Sequence, residues 1–176
     1  MIVSKLDIEN LDIIRSNVTD FIKKCSERFD KSGTDLLDIA PQRYLGASEY
    51  FKLTMIKTLD IDKNSKADYI ADICMVNSEL IPDESFDYIL CTEVLEHVLN
   101  PFEAIREMHR MLKPQGYLLT STPFNLRIHG PLPDCWRFTE HGLRSLLTKF
   151  KDVEIESIES SDRFLMPIHY TTISRK

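Results

Sequence analysis

The sequence predicts one α/β domain on a mostly parallel seven-stranded sheet, trimmed of some helices and finished by an antiparallel C-terminal edge. Three observations lead there. Short apolar runs with β-compatible content recur along the chain, helical stripes separate only some of them, and acidic residues stand at the ends of successive runs. With 176 residues, 43% of them hydrophobic, the chain suits a single core, so 1–176 is expected to form one domain.

The N-terminal segment 1–33 opens with a helix over residues 10–30. Leu11, Ile14, Val18, Phe21 and Cys25 follow alternating spacings of three and four, with Asn10 as the expected cap and Gly33 as the stop. It reads as a helix packed on the flank, with a lid over a pocket as the alternative. Strands are expected at 35–40, 55–61, 67–73, 86–92, 116–122, 152–159 and 169–174. Helices separate the fourth to sixth, which should therefore run parallel with right-handed crossovers. Connections around the second and third are too short for full helices. The clearest helix is 101–113: Asn100 caps it, Pro101 fills its first turn, and Phe102, Ile105, Met108 and Leu112 form its stripe. Pro114 ends it, and Gly116 should permit the turn into the next strand. A further helix runs from about 140 to 150 under Thr139, with Leu143, Leu146, Leu147 and Phe150 on its core face. The last two strands have no helix between them and must pair antiparallel.

Charge narrows the partners. Lys and Arg total 22 against 28 Asp and Glu, a net charge of −6, which disfavours nucleic acid and anionic bilayers and favours a small-molecule partner. The four cysteines lack a paired or metal-ligand spacing, so no metal site and a reducing, cytoplasmic setting are expected. No run has the length of an export signal or membrane span. The oligomeric state stays open.

In a parallel sheet, ligands gather at the carboxyl ends of the strands. The first strand brings Asp38 there, the second Asp60 and Asp62, the third Asp72, and the fourth Thr92, Glu93, Glu96 and His97. A carboxylate after the second strand suits the two hydroxyls of a ribose, and Asp60 fits better than Asp62. Asp72 suits an adenine amine. Each alone also reads as a solvated aspartate ending a strand; the succession points to one ligand along the rim.

"DLLDIAPQ", "TLDID", "ADYIADI", "SFDYILCTEVLEHVLNPFEAIREMHRMLKPQGYLLTSTPF" and "DCWRFTEHGLRSLL" together resemble the motifs of class I S-adenosylmethionine-dependent methyltransferases. The likeness is strongest to small-molecule members related to quinone-biosynthesis enzymes. It covers residues 35 to about 160, and its most specific block is 85–124. The resemblance implies a Rossmann-like fold with S-adenosyl-L-methionine as cofactor. It sets the cofactor's methionine end at the loop of Asp38, Ala40, Pro41 and Gly46, the ribose at Asp60 and Ile61, the adenine edge at Asp72 and Ile73, and the sulfonium by Thr92 and Glu93. The chain departs from the family at Ala40 and Gln42, where glycines are usual. Alanine is tolerated at position 40 if φ stays negative. The segment thus reads as a modified cofactor loop.

A hydroxyl acceptor must lose a proton, and His97 and His129 are the candidate bases; packing or surface roles are the alternative. The long segment 123–138 is expected to cover the acceptor. Within it Trp136 offers a stacking face, and Arg127 and Arg137 offer cations for an anionic group; a Trp136 that anchors the loop in the core and an Arg137 that snorkels at the surface are the alternative. "WRFT" resembles segments of surface-glycan methyltransferases, which implies a sugar-linked acceptor. Two other readings are an inactive methyltransferase-fold binding or regulatory protein and, more weakly, a nicotinamide enzyme, which would need the absent Gly-x-Gly-x-x-Gly.

Overall fold

The computed structural model describes residues 3–41 and 46–176; Gln42 lies outside them. Helix α1 (Lys5–Phe29) precedes β1 (Asp35–Ile39), and α2 (Gly46–Tyr50) leads to β2 (Met55–Asp60) and β3 (Tyr69–Ile70). Then come β4 (Phe86–Thr92), α3 (Pro101–Met111), β5 (Leu112–Pro123), α4 (Glu140–Leu146), β6 (Lys151–Ile158) and β7 (His169–Arg175). The seven strands form one sheet in the order β3-β2-β1-β4-β5-β7-β6. Pairing is parallel from β3 to β5, and β7 runs antiparallel to both of its neighbours, β5 and β6. Strand β6 points the same way as β5, as the sequence implies, but β7 lies between them.

The period-two alternation of the strands builds two cores. Leu36, Tyr88, Leu90 and Leu119 pack with Phe21, Ile22 and Cys25 of α1. Leu37, Ile39, Ile89, Cys91 and Leu118 pack with Met108, Met111, Leu143 and Leu147 on the other face. Burying each leucine-sized side chain contributes about 1.5–3 kcal/mol, so the central strands hold the rim still.

Several local expectations are corrected. Ser4, not Asn10, caps α1, its Oγ accepting the Asp7 N–H at 3.1 Å. Asn10 shares the buried stripe with Ile14 and Phe21 and donates its amide to the Asn125 carbonyl at 2.8 Å, tying α1 to the segment after β5. The helix ends before Asp30, whose carboxylate accepts the N–H groups of Lys52 and Thr54, and Gly33 sits in the following turn at φ +81°. Asn100 does cap α3, accepting the Glu103 N–H at 3.3 Å, but Phe102 is 59% exposed and Ala104 and Met111 complete the buried face. The left-handed turn after α3 falls on Gln115 (φ 67°). Gly116 is instead a close approach: a Cβ there would stand 2.8 Å from the Asp87 carbonyl oxygen and 2.9 Å from that of Lys113. Strand β3 shrinks to two residues, because Asp68 turns back to accept from the Thr58 N–H and hydroxyl. Helix α4 stops at Leu146, with Leu147 and Phe150 buried in the turns beyond it. Among the described residues no helix is long and apolar enough to cross a membrane.

Candidate active site

The carboxyl ends of β1 to β5 bring the expected rim together. Asp38 is 3% exposed, and its Oδ2 accepts the Ala47 N–H at the start of α2 at 2.8 Å. Burial pushes its carboxyl up to about 6, and that hydrogen bond offsets only part of the effect. Ala40 donates its N–H to the Leu59 carbonyl at 2.7 Å and has φ 50°. The condition for a comfortable alanine is therefore not met, and the loop carries a strained residue where glycine would be relaxed. Pro41 is half-buried beside Gly46, which has positive φ and no room for a side chain against the Asp38 carboxylate.

Asp60 is half-buried at the end of β2. Its Oδ1 accepts the Asp62 N–H at 2.8 Å, while Oδ2 carries no partner among the described residues. Asp62 is exposed and closes its own turn onto the Asn64 N–H. Asp72, half-buried, accepts the Cys74 N–H at 2.8 Å through Oδ1. Ile61 is 66% exposed and presents an apolar face beside Asp60, whereas Ile73 points into the core at 5%. Thr92 ends β4 half-buried, and Glu93 follows in a left-handed conformation, φ 53°.

The Glu93 Oε1 meets both the Ser121 hydroxyl and His169 Nε2 at 2.7 Å. His169 is fully buried in β7, and its Nδ1 lies 2.7 Å from the Asn17 amide nitrogen. An amide donor on Nδ1 puts the ring proton on Nε2, which donates to Glu93. The sequence reading missed this link. Its one signal is that Asn10 and Asn17 stand on the same stripe as Ile14 and Phe21, polar residues on a face that is otherwise apolar.

Beyond Glu93, both candidate bases converge on a third residue. Glu96 has a side chain with no exposure, and neither of its oxygens has a hydrogen-bond partner among the described residues. His97 Nε2 lies 3.7 Å and His129 Nε2 3.9 Å from its Oε1, and the two rings meet edge to face at 4.9 Å. The His97 Nδ1 is 2.8 Å from the Pro133 carbonyl, so it carries the proton and leaves Nε2 as a free acceptor. Asp134 Oδ2 stands 3.0 Å from His129 Nδ1, off the line of a hydrogen bond, and accepts the His129 backbone N–H at 2.9 Å. Burial raises the Glu96 carboxyl well above the usual range, with the Glu93 charge adding to it, and burial lowers His129. Hydrogen bonds from Arg137 hold Asp134 below the carboxylate range.

The remaining acceptor residues divide. Arg137, expected to meet an anionic substrate, gives its donors to Asp134 and to the carbonyls of Leu126, Arg127 and Trp136, bracing the loop. Trp136 donates Nε1–H to the Val98 carbonyl at 2.8 Å, stacks beside Phe138 and keeps 39% of its surface open. Arg127 is exposed and makes no ion pair among the described residues. A depression of about 370 Å³ bordered by Glu84, Arg110, Lys149 and Lys176 lies at the opposite end of the sheet, away from this chemistry.

A family model described as a methyltransferase domain matches residues 13–158. The chain belongs to this methyltransferase family. The ubiquinone biosynthesis O-methyltransferase of Photobacterium profundum is 36% identical over 70 residues, 40% of this chain and 29% of that protein. The same-named enzyme of Pseudomonas syringae pv. tomato is 51% identical over 39 residues, 22% of this chain and 17% of its own length. The chain thus spans under a third of these curated relatives. A SAM-dependent methyltransferase from Archaeoglobus fulgidus superposes with a TM-score of 0.68 at 17% identity, covering 94% of both chains. The [4+2]-cyclase SpnF shares the fold at a TM-score of 0.62 and 17% identity, over 91% of this chain and 80% of its own. The fold is therefore the Rossmann-like one of class I methyltransferases, and S-adenosyl-L-methionine is the family's cofactor. The rim fits it: Asp60 keeps an acceptor oxygen free, Ile61 offers apolar surface, and Asp72 stands at the next strand end.

Proposed function

We propose that this methyltransferase moves a methyl group from S-adenosyl-L-methionine to a hydroxyl oxygen of a small anionic or sugar-linked acceptor. The observation that carries the reading is the convergence of the His97 and His129 Nε2 atoms on Glu96 at the end of β4. Asp60 accepts from the ribose hydroxyls, Asp72 and the backbone at Ile73 border the adenine, and Thr92 and Glu93 flank the methionine end, with Asp38, Ala40, Pro41 and Gly46 forming the loop beneath it. When bound, the cofactor supplies a methyl on a positively charged sulfur. Held by Asp60, Asp72 and the Asp38 loop, it would supply that methyl to an acceptor oxygen aligned in line with it, and would be left as the neutral thioether. The hydroxyl proton leaves toward an imidazole Nε2: that of His97, whose Nδ1 is already engaged by the Pro133 carbonyl, or that of His129, whose Nδ1 stands 3.0 Å from the Asp134 carboxylate. The named oxygen chemistry of the curated relatives supports oxygen as the methylated atom. Exposed Arg127 and the open part of Trp136 support an anionic or ring-bearing acceptor. Free cysteines, two of them buried, support a cytoplasmic setting.

Calorimetry with S-adenosylhomocysteine, followed by a panel of nucleotide sugars and hydroxy acids scored for demethylated cofactor, tests this. His97→Ala or His129→Ala should slow turnover more than it weakens cofactor binding. The strained Ala40 favours one other reading, a binding protein of the same fold that no longer turns over. Absence of heat at millimolar ligand would remove the enzyme.

A further inference from the structure

We infer that Glu96, His97 and His129 form a binding site for a divalent transition-metal ion. Glu96 is the reason to look for one. Its carboxylate is enclosed, both oxygens lack hydrogen-bond partners among the described residues, and Arg137, a guanidinium acting on it by charge, is committed to Asp134. A protonated Glu96 would have only the His97 and His129 Nε2 atoms, at 3.7 and 3.9 Å, as acceptors, beyond hydrogen-bond distance; a cation among the three side chains would satisfy the carboxylate and both lone pairs together.

The geometry is close to a coordination shell. The ligand atoms of the three residues all lie within 4.8 Å of one another, with 3.7 and 3.9 Å from Glu96 Oε1 to the two Nε2 atoms. Donors at about 2.0–2.2 Å from a tetrahedral ion stand roughly 3.3–3.6 Å apart, so the two edges to Glu96 need shorten by only a few tenths of an ångström, and the edge between the imidazoles, bounded by 4.8 Å, by at most about 1.5 Å. The far side of the His97 imidazole is already in a ligand's posture, with the Pro133 carbonyl holding Nδ1–H, and the Asp134 carboxylate stands 3.0 Å from Nδ1 of His129, where a small ring rotation would align it. Two imidazoles and one carboxylate select zinc, cobalt, iron or nickel over magnesium, which prefers an all-oxygen octahedron. Side-chain exposures of 15% and 21% at the histidines, against none at Glu96, leave an approach from the acceptor side and room for a fourth ligand.

Its part in the reaction rests on the proposed transfer. An acceptor hydroxyl oxygen would take the fourth position, where the ion's charge lowers the hydroxyl pKa and the proton goes to solvent rather than to an imidazole. The sequence does not show the site, because Glu96 and His97 are adjacent while His129 comes from beyond β5.

The test is titration of the full, metal-stripped chain with Zn²⁺ by calorimetry and with Co²⁺ by visible absorption, alongside S-adenosylhomocysteine binding. One equivalent should bind, with a Co²⁺ band of four- or five-coordinate intensity. The isosteric Glu96→Gln should weaken Zn²⁺ at least tenfold, and His129→Asn, placed in a loop and serving if Glu96→Gln does not fold, should do the same. No Zn²⁺ binding, or equal binding by wild type and folded variants, overturns the site. If S-adenosylhomocysteine binds while Zn²⁺ does not, transfer survives with the histidines as bases. Zn²⁺ bound at the trio with no cofactor heat would instead keep the site and sink the transfer.

Discussion

Replacing Asp60 by alanine tests the cofactor rim at the position where the structure commits one oxygen and leaves the other free. Oδ1 is fixed by the Asp62 N–H at 2.8 Å, so the carboxylate is oriented before any ligand arrives and Oδ2 is left to accept from the ribose. A hydrogen bond to a charged group contributes about 1.5–3 kcal/mol, and two to a half-buried carboxylate, taken at the lower bound, total about 3 kcal/mol. At about 1.4 kcal/mol per decade, Asp60→Ala should raise the dissociation constant of S-adenosylhomocysteine roughly 100- to 200-fold. Asp60→Asn keeps an acceptor for the Asp62 N–H but turns a donor toward the ligand, so it should weaken binding without disturbing the turn. Asp62→Ala is the control: its carboxylate closes a local turn onto Asn64, and affinity should hold. Isothermal titration calorimetry with a parallel thermal melt reads all three. Asp60→Ala binding within about threefold of wild type, at an unchanged melting temperature, would refute the ribose assignment.

Three further outcomes follow from local geometry. Ala40→Gly should raise the melting temperature by about 1–3 °C, because relief of a left-handed alanine, about 1–2 kcal/mol, exceeds the added unfolded-state entropy of glycine. Gly116→Ala should cost about 2–3 kcal/mol in urea unfolding, since the new methyl meets two backbone carbonyl oxygens that have no side-chain freedom to yield. Asp38 has a folded pKa of about 6, above its unfolded value of about 3.9, so the folded chain binds the proton more tightly. Its contribution should make stability fall as pH rises from about 4 to about 6, by an amount on the order of 2–3 kcal/mol, and stay level above that. Asp38→Asn, which still accepts the Ala47 N–H, should flatten the slope in denaturation curves taken across that window.

Much of the fold was legible because the central strands are buried on both faces and α3 carries its cap, first-turn proline and stripe in sequence order. The less legible parts depend on partners distant in the chain. Asn10 looks like a cap until Asn125 is brought beside it, and the tight place at Gly116 exists only because β4 passes close by. Asp38, Asp60, Asp72 and Glu93 could be set in order on the rim from strand ends alone. Glu96 stood in the same stretch but showed no role, since its environment is made by His129, Asp134 and Arg137 from another loop. The bracing contacts of Arg137 were hidden for the same reason: a cation in a loop looks available until the carbonyls around it are in place.

The insertion of β7 between β5 and β6 sets an order of assembly. On the ribosome β6 emerges first, yet its hydrogen-bonding edge has no place in the sheet until residues 169–175 have followed and slid in beside β5. Until His169 arrives, Glu93 Oε1 lacks one of its two partners, so the rim beside β4 is complete only once β7 is in place. An expression fragment cut at the family match's end, residue 158, would be held at that stage: an exposed β5 edge, a strand without a neighbour, and a surface inviting pairing between molecules.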